Sequence, residues 1–504
     1  MRPQLGEEDV TCLAAARPSI KSETDAVKVS LPIFTVQGAV SDNSSSVRVF
    51  RGIPYAEPPI GELRFRPPVT KRPVPGIIDA TKFKEICPIW NQGGASIYTE
   101  YITGNTPYTY LKQGEDCLNL NIWTPINATH DSDLTVMIWV HGGGYRLHIF
   151  GYPGRVPAFG GNNLNPGLLD IRKAVEWTYT YIKFFGGNPE NMILFGQSAG
   201  GQNVDYYSYA WATDPLVKGF ISESGVATLS SSEDYVGGNW TYVADHFNCT
   251  GDEDQQLQCL QSVPWEDLIE LSYSYNSTLN GGKELKFGPL SDNQTVFSNY
   301  QDLRRRGQYA KGGYLTGNTE NEAETLVRPY SIATGPNQTL VAAATDKLFH
   351  CPTNASATSP VSAQEMGLPN GDIITVECGR TKTRFLGLGH TIPVGEIPQV
   401  WGTGETWGGN RLGGPNTPEE AAFSRYIQRA WAAFAKDPIH GLSKLGWPHY
   451  DGKRNTLVQL GYKNSTLPQF VDPAEVDRSC TLSGHAVRLE TRENSEKYSI
   501  LMHP

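Results

Sequence analysis

The chain reads as an α/β protein built on a mostly parallel central sheet with helices on both faces. Three stretches predict this. Leu134 to Val140 is a continuous apolar, β-branched run, as expected of a strand buried on both faces of a parallel sheet. Leu168 to Phe184 then places Leu168, Ile171, Val175 and Ile182 at helical spacing along one stripe. Gly186-Gly187-Asn188-Pro189 stops that helix, and Met192 to Phe195 begins another buried strand. Strand, helix and strand in this order form the βαβ unit.

The rest of the chain fits one large domain. It has 504 residues, 39% of them hydrophobic, and 42 Lys+Arg against 52 Asp+Glu leave a net charge of −10. An acidic balance argues against a surface that coats nucleic acid or an anionic membrane. No apolar stretch approaches the roughly 18–20 residues of a membrane helix. We expect a single domain over 31–480, with an atypical N-terminal segment at 1–30 and an atypical tail at 481–504. Near the C-terminus, Thr417-Pro418-Glu419-Glu420 opens a helix with a capping box and proline at its first position. Phe423, Ile427, Trp431 and Phe434 follow at helical spacing, and Asp437-Pro438 ends it.

Cys249 and Cys259 flank a polar stretch and could close a small loop, and Cys87 and Cys117 form another natural pair, although spacing alone fixes no connectivity. No cysteine or histidine cluster has metal spacing, so no metal is expected. Asn-x-Ser/Thr sequons recur from Asn43 to Asn464 and point to a secreted glycoprotein. The first 25 residues show no apolar core of a signal peptide.

Directly after the second strand comes Gly196-Gln197-Ser198-Ala199-Gly200-Gly201. A serine on a sharp strand-to-helix turn is held with its hydroxyl exposed, and the flanking glycines let neighbouring backbone approach. The first strand ends in His141-Gly142-Gly143-Gly144. A glycine run there is by itself only a flexible turn. Paired with the serine elbow in one βαβ unit, it offers backbone N–H groups to a tetrahedral oxyanion, with Gly143, Gly144 and Ala199 as the donors.

These motifs resemble the type-B carboxylesterase/lipase family of α/β-hydrolases, which includes the cholinesterases and fungal secreted esterases. Phe185 to Gly200 matches the family's serine signature, Glu115 to Trp123 its second signature, and Phe50 to Pro59 its N-terminal hallmark. The resemblance runs from about Thr35 to Cys480 and implies the α/β-hydrolase fold. It also implies disulfides Cys87–Cys117 and Cys249–Cys259, leaving Cys12, Cys351, Cys378 and Cys480 open.

A serine hydroxyl needs an imidazole to take its proton and a carboxylate to orient that imidazole, in the chain order Ser, acid, His. The family's acid lies in a Gly-x-x-x-x-Glu stretch, and Gly317 to Glu322 fits after the strand-like Tyr314-Leu315-Thr316, making Glu322 the acid over its neighbours Glu320 and Glu324. For the base, His350, His390, His440, His449, His485 and His503 follow Glu322. His390 precedes Glu396-Ile397-Pro398, which resembles the family's histidine motif with about three extra residues between. His390 is therefore the expected base, and His440 and His449 are structural.

The chain departs from the family after the glycines. Tyr145-Arg146-Leu147 follows Gly144 directly, where relatives insert a helix-bearing loop and one more buried strand of roughly 25–35 residues. The central sheet is thus expected to lack one strand. Its neighbours would have to re-pair, and the glycine turn would lose its anchor on one side.

The expected function is a serine hydrolase that cleaves small-molecule carboxylic esters through an acyl-enzyme, with no cofactor, in an extracellular setting. The competing class is a catalytically silent, cholinesterase-like binding protein, or an incomplete gene reading of an active esterase. Cholinesterases carry a cation-binding Trp before the second signature. Here Tyr108 and Tyr110 occupy that region without a Trp, so choline esters are not favoured. Acyl and alcohol preference and oligomeric state are left open.

Overall fold

The computed structural model describes residues 26–89, 112–145, 147–160, 163–228, 238–275, 285–328, 336–357, 373–378, 397–403, 416–462, 465–482 and 499–500. Its centre is a seven-stranded sheet. Strands β4 (Leu134–Val140), β5 (Gly187–Gln197), β6 (Gly219–Glu223), β7 (Gly313–Thr319), β8 (Ile373–Cys378) and β9 (Leu457–Leu460) run parallel in that spatial order. β10 (Gln469–Val471) closes the far edge antiparallel to β9. A separate antiparallel sheet joins β1 (Ala39–Ser41), β2 (Ser44–Pro54) and β3 (Asn119–Pro125).

Side-chain alternation along β5 explains the two layers of helix. Met192 and Leu194 face one side, packing with Val175 and Trp177 of α1 (Pro166–Tyr181) and Val204 and Tyr207 of α2 (Ala199–Ala210). Ile193 and Phe195 face the other, against Phe423, Ile427, Trp431 and Phe434 of α4 (Pro418–Lys436). Short α3 (Ile397–Trp401) lies on that same side, with Trp401 edge-on to Trp139. The Thr417 capping box forms as its sequence predicts, with Thr417 and Glu420 bonded reciprocally.

The sheet lacks a strand, but the neighbours do not re-pair. Among the described residues β3 pairs only with β2, and β4 only with β5. The reason is connectivity. β3 is already committed to its antiparallel partner and β4 to its parallel one, and no described segment enters between them. Side chains bridge the division instead: Phe50, Ile53 and Ile122 from the small sheet share one core with Val140, Leu194 and Phe185. β4 becomes an edge strand with Met137 36% exposed, and Trp123 on β3 is 54% exposed.

Three disulfides tie the periphery. Cys87 is bonded to Cys117, Cys249 to Cys259, and Cys351 to Cys480. The last pair, which spacing left open, is reinforced by His350 Nε2, 2.7 Å from Asp477 Oδ1. No described helix is long and apolar enough to cross a membrane.

Candidate active site

The site gathers at the C-terminal ends of β4, β5, β6 and β7. Ser198 stands between β5 and α2 at φ 58° and ψ −126°. That conformation costs a non-glycine residue on the order of 1–3 kcal/mol and persists only where its surroundings enforce it. Here the Ser198 N–H donates to the Glu223 carbonyl at 2.8 Å, and its own carbonyl accepts from Gln202 N at 2.9 Å. Gly200 shows why the flank admits no side chain: a Cβ there would lie 2.1 Å from the Val140 carbonyl oxygen. Ser198 itself stays half-exposed.

The glycine turn approaches the elbow from β4, and a Cβ on Gly142 would sit 3.2 Å from Ser198 Cβ. Gly143 adopts φ 118°, which suits only glycine. The N–H groups of Gly143, Gly144 and Ala199 form no hydrogen bond among the described residues. They are therefore available as donors, next to the N-terminal end of α2, whose dipole favours negative charge.

Glu322 follows β7 and is 2% exposed. Its Oε1 accepts from Ser224 Oγ at 2.5 Å and from Thr319 N at 2.6 Å. Burial raises its pKa, and these two donors oppose the rise. Ser224 immediately follows β6 at φ 52°. It links Glu322 to the strand whose carbonyl holds Ser198. Nothing local in the sequence marked this serine, because its partner lies 98 residues away.

A second buried carboxyl lies close by. Glu223 is 6% exposed and its Oε1 accepts from Trp431 Nε1 at 2.7 Å. Its Oε2 has no hydrogen bond among the described residues. Burial pushes this carboxyl up to about 7 despite the Trp431 donation.

His390 lies outside the described residues. Of the other histidines, His449 Nε2 is 3.0 Å from Ser443 Oγ and His350 bridges to Asp477, both structural contacts remote in sequence from the elbow. The glycine turn, expected to lose its anchor on one side, is followed directly by a held side chain. Tyr145 is buried, and its hydroxyl donates to Gln202 Oε1 of α2 at 2.8 Å.

A strained serine elbow at the end of a parallel sheet covered by helices on both faces fits an α/β-hydrolase. The chain belongs to the carboxylesterase family, whose sequence model matches residues 25–149 and 144–366. The two matched stretches meet at the turn where the sheet divides. It is 32% identical to "Secreted lipase 5" of Gibberella zeae over 94% of this chain and 98% of that protein. It is 29% identical to the chlorogenic acid esterase of Aspergillus niger, over 88% and 92%. A solved thermophilic PNB esterase superposes with TM-score 0.69 at 23% identity, covering 90% of this chain and 99% of that one, which shows the shared fold. The protein is a carboxylic ester hydrolase.

Proposed function

We propose that the protein hydrolyses small-molecule carboxylic esters through a covalent acyl-serine. Ser198 Oγ attacks the ester carbonyl, and His390 takes its proton and returns it to the leaving alcohol. Glu322 orients the imidazole and offsets its charge, while the amides of Gly143, Gly144 and Ala199 receive the oxyanion. Water then repeats the sequence on the acyl-enzyme. The observation that carries this reading is the Ser198 backbone at φ 58° and ψ −126°, held by Glu223 and closed in by glycines. The buried Glu322, with its two donors, supports the assignment of the acid.

The three disulfides and the secreted fungal relative support work in an oxidising, extracellular setting. The differing names of the relatives, a lipase and a chlorogenic acid esterase, leave the alcohol and acyl groups to be read by a screen of chain lengths.

The test is covalent labelling of the purified full chain with a fluorophosphonate, alongside turnover of p-nitrophenyl esters. Ser198→Ala should abolish labelling and lower kcat by about 10⁴–10⁶. Labelling that survives in Ser198→Ala, or is absent from the folded wild type, refutes the reading.

A further inference from the structure

Gly143, Gly144 and Tyr145 occupy φ values of 118°, 63° and 58°, so the left-handed path begun by the glycines continues through a bulky residue. For tyrosine this costs roughly 1–2 kcal/mol, which the surroundings must offset. They do so through one cluster. The Tyr145 ring is 7% exposed and packs edge-to-face on Tyr152, centroids 5.0 Å apart. Its hydroxyl donates to Gln202 Oε1, and Gln202 Nε2 donates to the Tyr206 hydroxyl at 2.7 Å. The Tyr152 hydroxyl donates to Asn203 Oδ1 at 3.1 Å. Tyr145, Tyr152 and Ala199 form a single buried cluster.

Gln202 and Asn203 lie on the first turn of α2, three and four residues after Ala199. The segment that presents Gly143 and Gly144 is therefore fastened to the helix that presents the Ala199 amide. Resting on the catalytic reading above, we propose that Tyr145 is the positioning residue of the oxyanion hole. It docks the glycine turn on α2 and so fixes the spacing between two sets of amides that must converge on one oxygen. Tyr145 meets no reacting atom and acts only through backbone placement. Donor geometry matters because hydrogen bonds weaken steeply with angle, and a site loosened by 1 Å loses much of its transition-state stabilisation.

Removing one oxyanion donor outright costs about 10²–10³ in kcat. Loosening donors without removing them should cost less. We expect Tyr145→Phe to lower kcat for p-nitrophenyl butyrate about 10- to 100-fold with KM within about threefold, since the ground-state carbonyl uses these amides weakly. The fluorophosphonate labelling rate should fall in parallel, because its P=O oxygen needs the same donors. Gln202→Met removes the acceptor while leaving the tyrosine ring packed, and should reproduce the kcat loss. The double variant should be no slower than the worse single one, as expected when both changes break one link.

A kcat within twofold of wild type in well-folded Tyr145→Phe overturns the proposal. So does a rise in KM at unchanged kcat, or strictly multiplicative losses in the double variant. Should Tyr145→Phe fail to fold, Gln202→Met carries the same test. Failure of the catalytic reading looks different: wild type and Ser198→Ala would then be equally inert.

Discussion

Glu223→Gln should make the stability of this protein less dependent on pH. The Glu223 carboxyl is raised from its ordinary 4.5 to about 7 by burial. Below 4.5 the group is protonated both folded and unfolded, and contributes nothing. As pH rises from 4.5 towards 7 the unfolded chain releases this proton while the folded chain keeps it, so stability falls. Above 7 the whole cost is present: 7 − 4.5 = 2.5 pH units, or roughly 3 kcal/mol at 1.36 kcal/mol each. Glutamine keeps the oxygen that accepts from Trp431 Nε1 but cannot ionise. Its buried NH₂ carries a cost of its own, yet that cost is the same at every pH and cancels in a difference. The assay is the thermal midpoint of wild type and variant at pH 5 and pH 8, at one scan rate. Part of the cost is already present at pH 5, so about 2.5 kcal/mol separates the two pH values, and with an unfolding entropy of about 1 kcal/mol/K for a chain this long the variant should gain about 2 °C on wild type between them. Identical changes in the two proteins would refute the argument and mean that Glu223 is ionised in the folded state, with a partner that offsets its burial.

Two further outcomes follow from the geometry. Ser224→Ala removes one of the donors that hold down the Glu322 pKa, so the acid limb of the kcat/KM profile should move to higher pH; an unmoved limb would show that this hydrogen bond does not tune Glu322. Replacing Cys351 and Cys480 together by serine opens a 129-residue span, worth about 5 kcal/mol by loop entropy, against about 3 kcal/mol for the 10-residue Cys249–Cys259 loop. Calorimetry of the two double variants should therefore rank the Cys351–Cys480 loss as the larger, and the reverse order would show that native-state strain dominates.

What was legible in the sequence was local. The apolar run of β4, the elbow glycines and the Thr417 cap each carry their signal within a few residues, because burial period, steric exclusion and capping are short-range effects. Ser224 on Glu322, Trp431 on Glu223 and Cys351 with Cys480 pair groups brought together only by the sheet order, and no spacing rule reaches them. Tyr145 was the least readable. Nothing in a tyrosine after three glycines announces a left-handed backbone, and its hold on Gln202 exists only once α2 lies beside the turn. The missing strand is legible as a gap in a familiar pattern, but its consequence, a divided sheet instead of re-paired neighbours, is not. Committed ladders on either side left β3 and β4 nothing to exchange.

That division runs through the enzyme as a seam. Within a ladder, directional bonds lock neighbouring strands to a single register. Across the seam, among the described residues, apolar side chains such as Phe50, Ile122 and Val140 pack together and the Thr124 hydroxyl donates to the Phe185 carbonyl at 2.9 Å, in place of a ladder. Ser198 sits only one strand, β4, away from this seam, and on its other side β5 is laddered to β6.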